Sequence, residues 1–281
     1  MTANTNQKIV VAFQGNRGAF SEAASVKYFG RNIDFVPCHT FNDVFEKVSH
    51  KEVQYGIIPI ENSFTGQVYQ NFDLLLEHDL WITGETQVRV VHNLIAHPGA
   101  AFDEIKKVYS HPQGLGQCQK FLLEHPHIEQ VPAYDTAGSV QIIKEEGLRD
   151  AAAIASRNAA EFYGMNILKE EIEDIKQNYT RFLVLNKDRI IPERADKTSI
   201  VYTLKNVPGI LFRSLSVFAL RDIGLSKIES RPLHGKPWQY YFYLDIEDCI
   251  ENERCINAIN HLKEITDFLK ILGSYEHGLE E

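Results

Sequence analysis

Ile9–Ile60, IVVAFQGNRGAFSEAASVKYFGRNIDFVPCHTFNDVFEKVSHKEVQYGIIPI, carries the pattern on which the fold reading rests. Three short apolar runs, Ile9–Phe13, Ile33–Val36 and Tyr55–Ile60, are separated by two longer amphipathic stretches, Ser21–Phe29 and Phe41–Val48. Strands that alternate with helices build a parallel sheet from βαβ units. Thr40 stands just before the second helical stretch with Asp43 three residues on, so its hydroxyl can take an orphan helix N–H in a capping-box arrangement.

The same rhythm extends C-terminally. A helix is expected at Gln67–Leu76, and a long alternating segment, Trp81–Ala96, which includes Arg89 and His92, is expected to cross between two lobes. Helices then read at Phe102–Lys107, Leu115–Glu124, Ala137–Glu146 and Arg157–Tyr163, with strands at Val108–Tyr109, Ile128–Val131, Ala151–Ala155 and Arg181–Leu185. Two α/β lobes joined by extended crossovers resemble the periplasmic-binding-protein architecture, with the ligand in the cleft at the carboxyl ends of the strands. A polar stretch around Pro192 reads as a linker, 189–197, between a first domain, 1–188, and a second, 198–281. The second domain has the order strand Ser199–Leu204, helix Gly209–Ile223, strands Ser226–Ser230 and Trp238–Ile246, helix Glu253–Thr266 and strand Phe268–Leu272. That is the βαββαβ, ferredoxin-like unit.

Composition narrows the function classes. The 281 residues hold 29 Lys plus Arg against 38 Asp plus Glu, and an acidic chain (net charge −9) with no basic run is poorly suited to nucleic acid. Cys38, Cys118, Cys249 and Cys255 are scattered, with no C-x-x-C pair, so neither a zinc site nor a disulfide framework is indicated and no metal is expected. No apolar run reaches the length of a membrane span, and the expectation is a soluble cytoplasmic protein with no membrane partner.

Five junctions carry polar chemistry. Gly15-Asn16-Arg17-Gly18-Ala19-Phe20-Ser21 follows the first strand and reads equally as an anion cradle at a helix start or as a tight turn with Ser21 as N-cap. It lacks the third glycine of a dinucleotide fingerprint and the Gly-Lys-Ser/Thr of a P-loop. Glu61-Asn62-Ser63 and Thr65 cluster after the third strand, as a polar ligand site or a capped loop. Ser110-His111-Pro112-Gln113 leads into a helix on which Gln113 and Gln117, four apart, share a face, while His111 reads as a hydrogen-bonded structural histidine. Asp135-Thr136-Ala137-Gly138-Ser139 is a further hydroxyl-rich helix start. Thr180-Arg181-Phe182 enters the last strand, where Arg181 could clamp a carboxylate bidentately and Thr180 could donate a hydrogen bond. None of these junctions sets a Ser/His/Asp or Cys/His group at recognisable spacing, so a polyanion pocket without a covalent nucleophile is implied.

Taken in order, Gly15-x-x-Gly18-x-x-Ser21, Pro59-Ile60-Glu61-Asn62-Ser63, Ser110-His111-Pro112-Gln113 and Thr180-Arg181-Phe182, ahead of a βαββαβ tail with Glu229-Ser230-Arg231-Pro232, resemble the prephenate dehydratase family. The resemblance implies a carbon–oxygen lyase that converts prephenate to phenylpyruvate on the phenylalanine route, without a cofactor. It implies Thr180, Arg181, Phe182, Asn62 and Gln117 as catalytic, and Gly18, Ser21, Glu61, Ser63, Ser110, Gln113, Thr136 and Ser139 as substrate-binding. The tail resembles an ACT domain, in which Gly209, Leu211, Glu229, Ser230, Arg231 and Pro232 would bind phenylalanine as effector between self-associated subunits. Val207-Pro208-Gly209-Ile210-Leu211 departs from the Gly-Ala-Leu of many relatives by the bulk of Ile210. Arogenate dehydratase is the alternative enzyme, and a non-catalytic amino-acid sensor the alternative from another class.

Overall fold

The computed structural model describes residues 8–233 and 235–278. The chain forms two compact units, the first running through Glu77 and resuming at Thr86–Phe182, the second taking His78–Glu85 and everything from Leu183.

In the first unit β1 (Ile9–Gln14) lies parallel to β2 (Ile33–Cys38) and β3 (Tyr55–Asn62), with α1 (Phe20–Phe29) and α2 (Phe41–Ser49) as crossovers. Val11, Ala12 and Phe13 are fully buried, as expected of a parallel strand covered on both faces. The Thr40 cap forms as expected: Asp43 N–H donates to Thr40 Oγ1 at 3.1 Å and Thr40 N–H to Asp43 Oδ2 at 2.8 Å. A two-residue strand, β4 (Gly66–Gln67), folds back on β3 before α3 (Tyr69–Glu77) and β5 (Trp81–Arg89).

The second lobe of this unit opens with β6 (Asn93–Ala96) and continues through β7 (Lys107–Ser110), α4 (Pro112–Gly116), α5 (Gln119–Glu124), β8 (Glu129–Pro132), α6 (Thr136–Glu145), β9 (Ala151–Ala155), α7 (Arg157–Tyr163) and β10 (Asn166–Lys169). Its five strands run in the order β10-β6-β9-β7-β8. Alternation along β9 sends Ala152 and Ile154 into one apolar core and Ala151, Ala153 and Ala155 into the other. The chain then returns to the first lobe as β11 (Tyr179–Asn186), which completes the sheet order β11-β3-β1-β2.

Three local expectations change. Phe102–Lys107 is only a 3-10 turn at Phe102–Glu104, because Lys107 already belongs to β7. The helix expected from Leu115 is two short ones broken around Gln117 and Cys118, where Gly114 and Gly116 weaken helix continuation. The crossing segment is not one strand, since β5 ends at Arg89 and β6 starts at Asn93.

In the second unit β12 (Lys197–Thr203), α8 (Ile210–Ala219), β13 (Leu225–Pro232), β14 (Tyr240–Ile246), α9 (Glu253–Ile265) and β15 (Phe268–Tyr275) realise the βαββαβ order, with the sheet running β13-β14-β12-β15. Its core includes Tyr202, Phe218, Leu244, Ile246 and Leu262. The boundary differs from the expected linker at 189–197. Lys197 opens β12 and is buried, donating to Glu85 Oε1 at 2.6 Å, and Ile82 on β5 pairs with Gly273 on β15. The first half of β5 is therefore built into the second unit, through a partner 112 residues away that no local pattern announces.

Among the described residues all four cysteines are free and buried, no helix is long and apolar enough to cross a membrane, and no cluster of three His, Cys, Asp or Glu is placed to hold a metal.

Candidate active site

A cavity of about 350 Å³ opens between the two lobes of the first unit. The first lobe contributes Gln14, Phe20, Ser21, Phe41, Asn62, Thr180 and Phe182, the second His111, Gln113, Gln117, Tyr134, Asp135 and Thr136, and the crossing segment Val90 and His92. Hydrogen bonds join the lobes around it, from Gln113 Nε2 to Thr65 Oγ1 at 2.6 Å and from Gln14 Nε2 to the Tyr134 hydroxyl at 3.0 Å. Gly18 supports this closure. It adopts φ +87°, a Cβ there would sit 2.5 Å from Ala159 Cα, and its carbonyl accepts from Ser156 Oγ at 2.6 Å.

Asn62 organises one wall. Its Nδ2 donates to Thr180 Oγ1 at 2.9 Å and to Asn178 Oδ1 at 2.7 Å, while its Oδ1 accepts from the backbone N–H groups of Phe64 and Thr65. Thr180 therefore accepts from Asn62 and keeps its own proton to donate.

No lysine or arginine lines the cavity among the described residues; Asp135 is its one carboxylate. Positive potential comes instead from backbone. Helix α1 starts on the cavity with Ala19 as N-cap and no side-chain cap, leaving first-turn amides for an anion. Helix α6 is capped by Asp135 on the Gly138 N–H, and α4 by His111 Nδ1, which accepts from the Gln113 N–H at 3.2 Å. Burial holds both His92 and His111 below the ordinary histidine pKa; Gln117 and Glu173 offset this in part at His92, and Asp135 at His111.

The unfolded chain therefore takes up protons at these two residues before the folded one does. Their contribution to stability is complete above pH about 6.5 and is lost as the pH falls towards the folded-state values. Thermal unfolding of wild type is expected to fall from pH 8 to pH 5 more steeply than that of a His92→Gln/His111→Asn variant. Parallel curves would refute this assignment.

Residues 11–190 match the family model described as prephenate dehydratase. The chain is 44 % identical over 285 residues to "Arogenate dehydratase/prephenate dehydratase 2, chloroplastic" of Arabidopsis thaliana, covering 98 % of this chain and 74 % of that protein. The chain belongs to the prephenate dehydratase family. A solved prephenate dehydratase from Arthrobacter aurescens, in complex with L-Phe, superposes with TM-score 0.88 at 33 % identity, covering 96 % of this chain and 90 % of that one. A second structure, described as a novel type of quorum quenching acylase, superposes with TM-score 0.87 at 29 % identity over 96 % and 98 % of the two chains. As a prephenate dehydratase family member the protein is a lyase of aromatic amino acid biosynthesis.

Against that family reading, the cavity gathers Thr180, Phe182, Asn62, Gln117, Ser21, Gln113 and Thr136. Ser21 is not the N-cap of α1 but lies inside its first turn. Six other expected site residues do not line the cavity. Gly18 and Ser63 hold structure, Ser63 accepting from Tyr179 N–H at 2.9 Å where β11 begins. Ser110 donates to the Ile154 carbonyl and Ser139 to the Asp135 carbonyl, both fully buried. Arg181 lies on the opposite face of β11 from Thr180 and Phe182, because successive strand side chains alternate, and its Nε is 4.0 Å from Glu61 Oε2. Glu61 is engaged there and with Gln67 Nε2 at 2.9 Å. Arg181→Lys is therefore expected to shift the unfolding midpoint more than KM; a KM raised severalfold at unchanged stability would return Arg181 to the substrate.

Gln14, Tyr134 and His92 were missed. Gln14 had a signal, as the polar residue ending β1 at its carboxyl end, where ligands of α/β sheets bind.

In the second unit, Gly209 and Leu211 line a cavity of about 230 Å³ with Val207, Trp238, Tyr240 and Phe242. Gly209 is the N-cap of α8 at φ +78°, and the helix ends at Ala219 rather than Ile223. Glu229, Ser230, Arg231 and Pro232 are outside that lining, on the edge strand β13. Ser230 pairs with Phe242 and so shares its face, whereas Glu229 and Arg231 point to the other.

Proposed function

We propose that the protein is a prephenate dehydratase controlled by phenylalanine. The ring carboxylate leaves as carbon dioxide, its electron pair completes the aromatic ring, and the ring C–O bond breaks; one proton is taken up as the departing hydroxide becomes water, leaving phenylpyruvate. The observation that carries this reading is the Asn62–Thr180 pair, in which Thr180 accepts from Asn62 and so keeps a hydroxyl proton to donate at a cavity whose anion-binding groups are neutral donors. Phe182 keeps the departing carboxylate poorly hydrated. No cavity-lining hydroxyl is hydrogen-bonded to a histidine ring nitrogen among the described residues, the arrangement an acylase nucleophile would favour; the Tyr134 hydroxyl donates to the backbone carbonyl of His39.

Arogenate is the second reading, favoured by the Asp135 carboxylate at the cavity, which suits an ammonium better than a keto oxygen. Ultraviolet assay of phenylpyruvate from prephenate, beside phenylalanine release from arogenate, tests both. Turnover of neither, with tight binding of an amino acid, would leave the non-catalytic sensor.

For control, the ACT-like unit would bind phenylalanine at the cavity beside Gly209, completed by β13 of a second copy in a homo-oligomer. That the Arthrobacter relative was solved in complex with L-Phe supports phenylalanine as the ligand. Ser230→Leu is expected to abolish phenylalanine inhibition with basal activity largely intact, a coupling of about 1–3 kcal/mol. Undiminished phenylalanine binding by titration calorimetry would place the effector elsewhere.

A further inference from the structure

A carboxylate-binding cavity without lining lysine or arginine depends on which end of each amide it meets, since an amide offers two N–H donors at one end and a repelling carbonyl oxygen at the other. Gln117 is 5 % exposed and its Oε1 lies 2.7 Å from Nε2 of His92; its amide nitrogen makes no hydrogen bond among the described residues. His92, 2 % exposed, is itself held firmly on the crossing between the lobes. Its backbone N–H donates to Glu173 Oε2 at 3.0 Å, its carbonyl accepts from Ile172 N–H at 2.8 Å, and Phe20 meets the ring edge-on at 5.7 Å.

The ring has two neutral tautomers, and the surroundings choose between them. Nδ1 is buried and has no partner. A proton there would bury an unsatisfied N–H, whereas a proton on Nε2 is satisfied by Gln117 Oε1.

We propose that His92 is a positioning residue for the dehydratase reaction: by donating Nε2–H to Gln117 Oε1 it turns the amide so that both N–H bonds face the cavity, where they take a substrate carboxylate. This rests on the dehydratase reading of the cavity. Without His92 the amide is free to flip and to meet the anion with its oxygen.

His92→Leu removes the donor, and His92→Gln returns an N–H at similar reach. His92→Leu is expected to raise KM on the order of tenfold, as loss of a hydrogen bond to a charged group does, with a smaller fall in kcat. His92→Gln should recover most of the loss, and adding His92→Leu to Gln117→Leu should cost nothing more. A KM within twofold of wild type in His92→Leu, no rescue by His92→Gln, or losses that multiply in the double variant would overturn the proposal. Nitrogen-15 histidine spectra of the full-length protein test the pairing without any substrate. The Nε2-protonated tautomer, with a resonance that moves in Gln117→Leu, is expected; the Nδ1-protonated one would overturn it. Wild type that turns over neither prephenate nor arogenate would sink the dehydratase reading, and the spectra would still decide the His92–Gln117 pairing.

Discussion

Replacing Thr180 by alanine is expected to lower kcat by on the order of a hundredfold or more while KM moves little. The Thr180 hydroxyl is almost buried at the cavity wall, with one lone pair engaged by Asn62 Nδ2 and its proton left over. A threonine hydroxyl is too weak an acid to give that proton up outright. It can polarise a leaving hydroxide, an interaction far stronger in the transition state than with the bound substrate, and such interactions appear in kcat. Thr180→Ser, which keeps the hydroxyl and loses only the methyl group, should fall between alanine and wild type. Asn62→Ala should follow the kcat loss, because the Asn62 amide aims the hydroxyl and ties it to the Phe64–Thr65 turn. Near-normal kcat in Thr180→Ala would reduce Thr180 to packing.

Lys197→Met should destabilise the second unit by about 3–5 kcal/mol, the usual consequence of breaking a buried ion pair from one side. The side chains of Lys197 and Glu85 are 2 % and 0 % exposed, and Glu85 Oε1 also accepts the Gly278 N–H at 2.9 Å. Removing the ammonium takes from the buried Glu85 carboxylate the charged donor at 2.6 Å and leaves it the Gly278 N–H and the His277 ring at 3.8 Å. The double variant Lys197→Met/Glu85→Leu should recover most of the loss, because removing both charges removes the desolvation cost as well. Denaturant titration is the measurement, with the midpoint falling at constant slope in the single variant. A loss under about 1 kcal/mol would show the carboxylate to be solvated.

These two cases mark how far the chain could be read. The polar junctions at Asn62, Gln113, Gln117, Thr136 and Thr180 were visible as hydroxyls and amides at strand ends, and all of them reach the cavity. Arg181 was visible too, as a carboxylate clamp, yet the two-residue period of β11 turns it away, a constraint that the sequence contained and that its charge obscured. Ser110 and Ser139 share their neighbours' chemistry but spend it on backbone carbonyls inside the fold.

The amino-acid sequence by itself determined the elements whose causes are local: the buried apolar run of β1, the Thr40–Asp43 cap of α2, and the βαββαβ order after Lys197. Periodicity, capping and turn chemistry act over a few residues, so they are legible wherever they occur. Only the tertiary structure decided that Asn62 aims Thr180 from 118 residues away, that His92 holds Gln117, and that Lys197 finds Glu85. Each is a polar pair closed by folding of the intervening chain. Nothing in the residues beside Asn62, His92 or Glu85 records which donor or acceptor the fold will bring to them once water has been excluded.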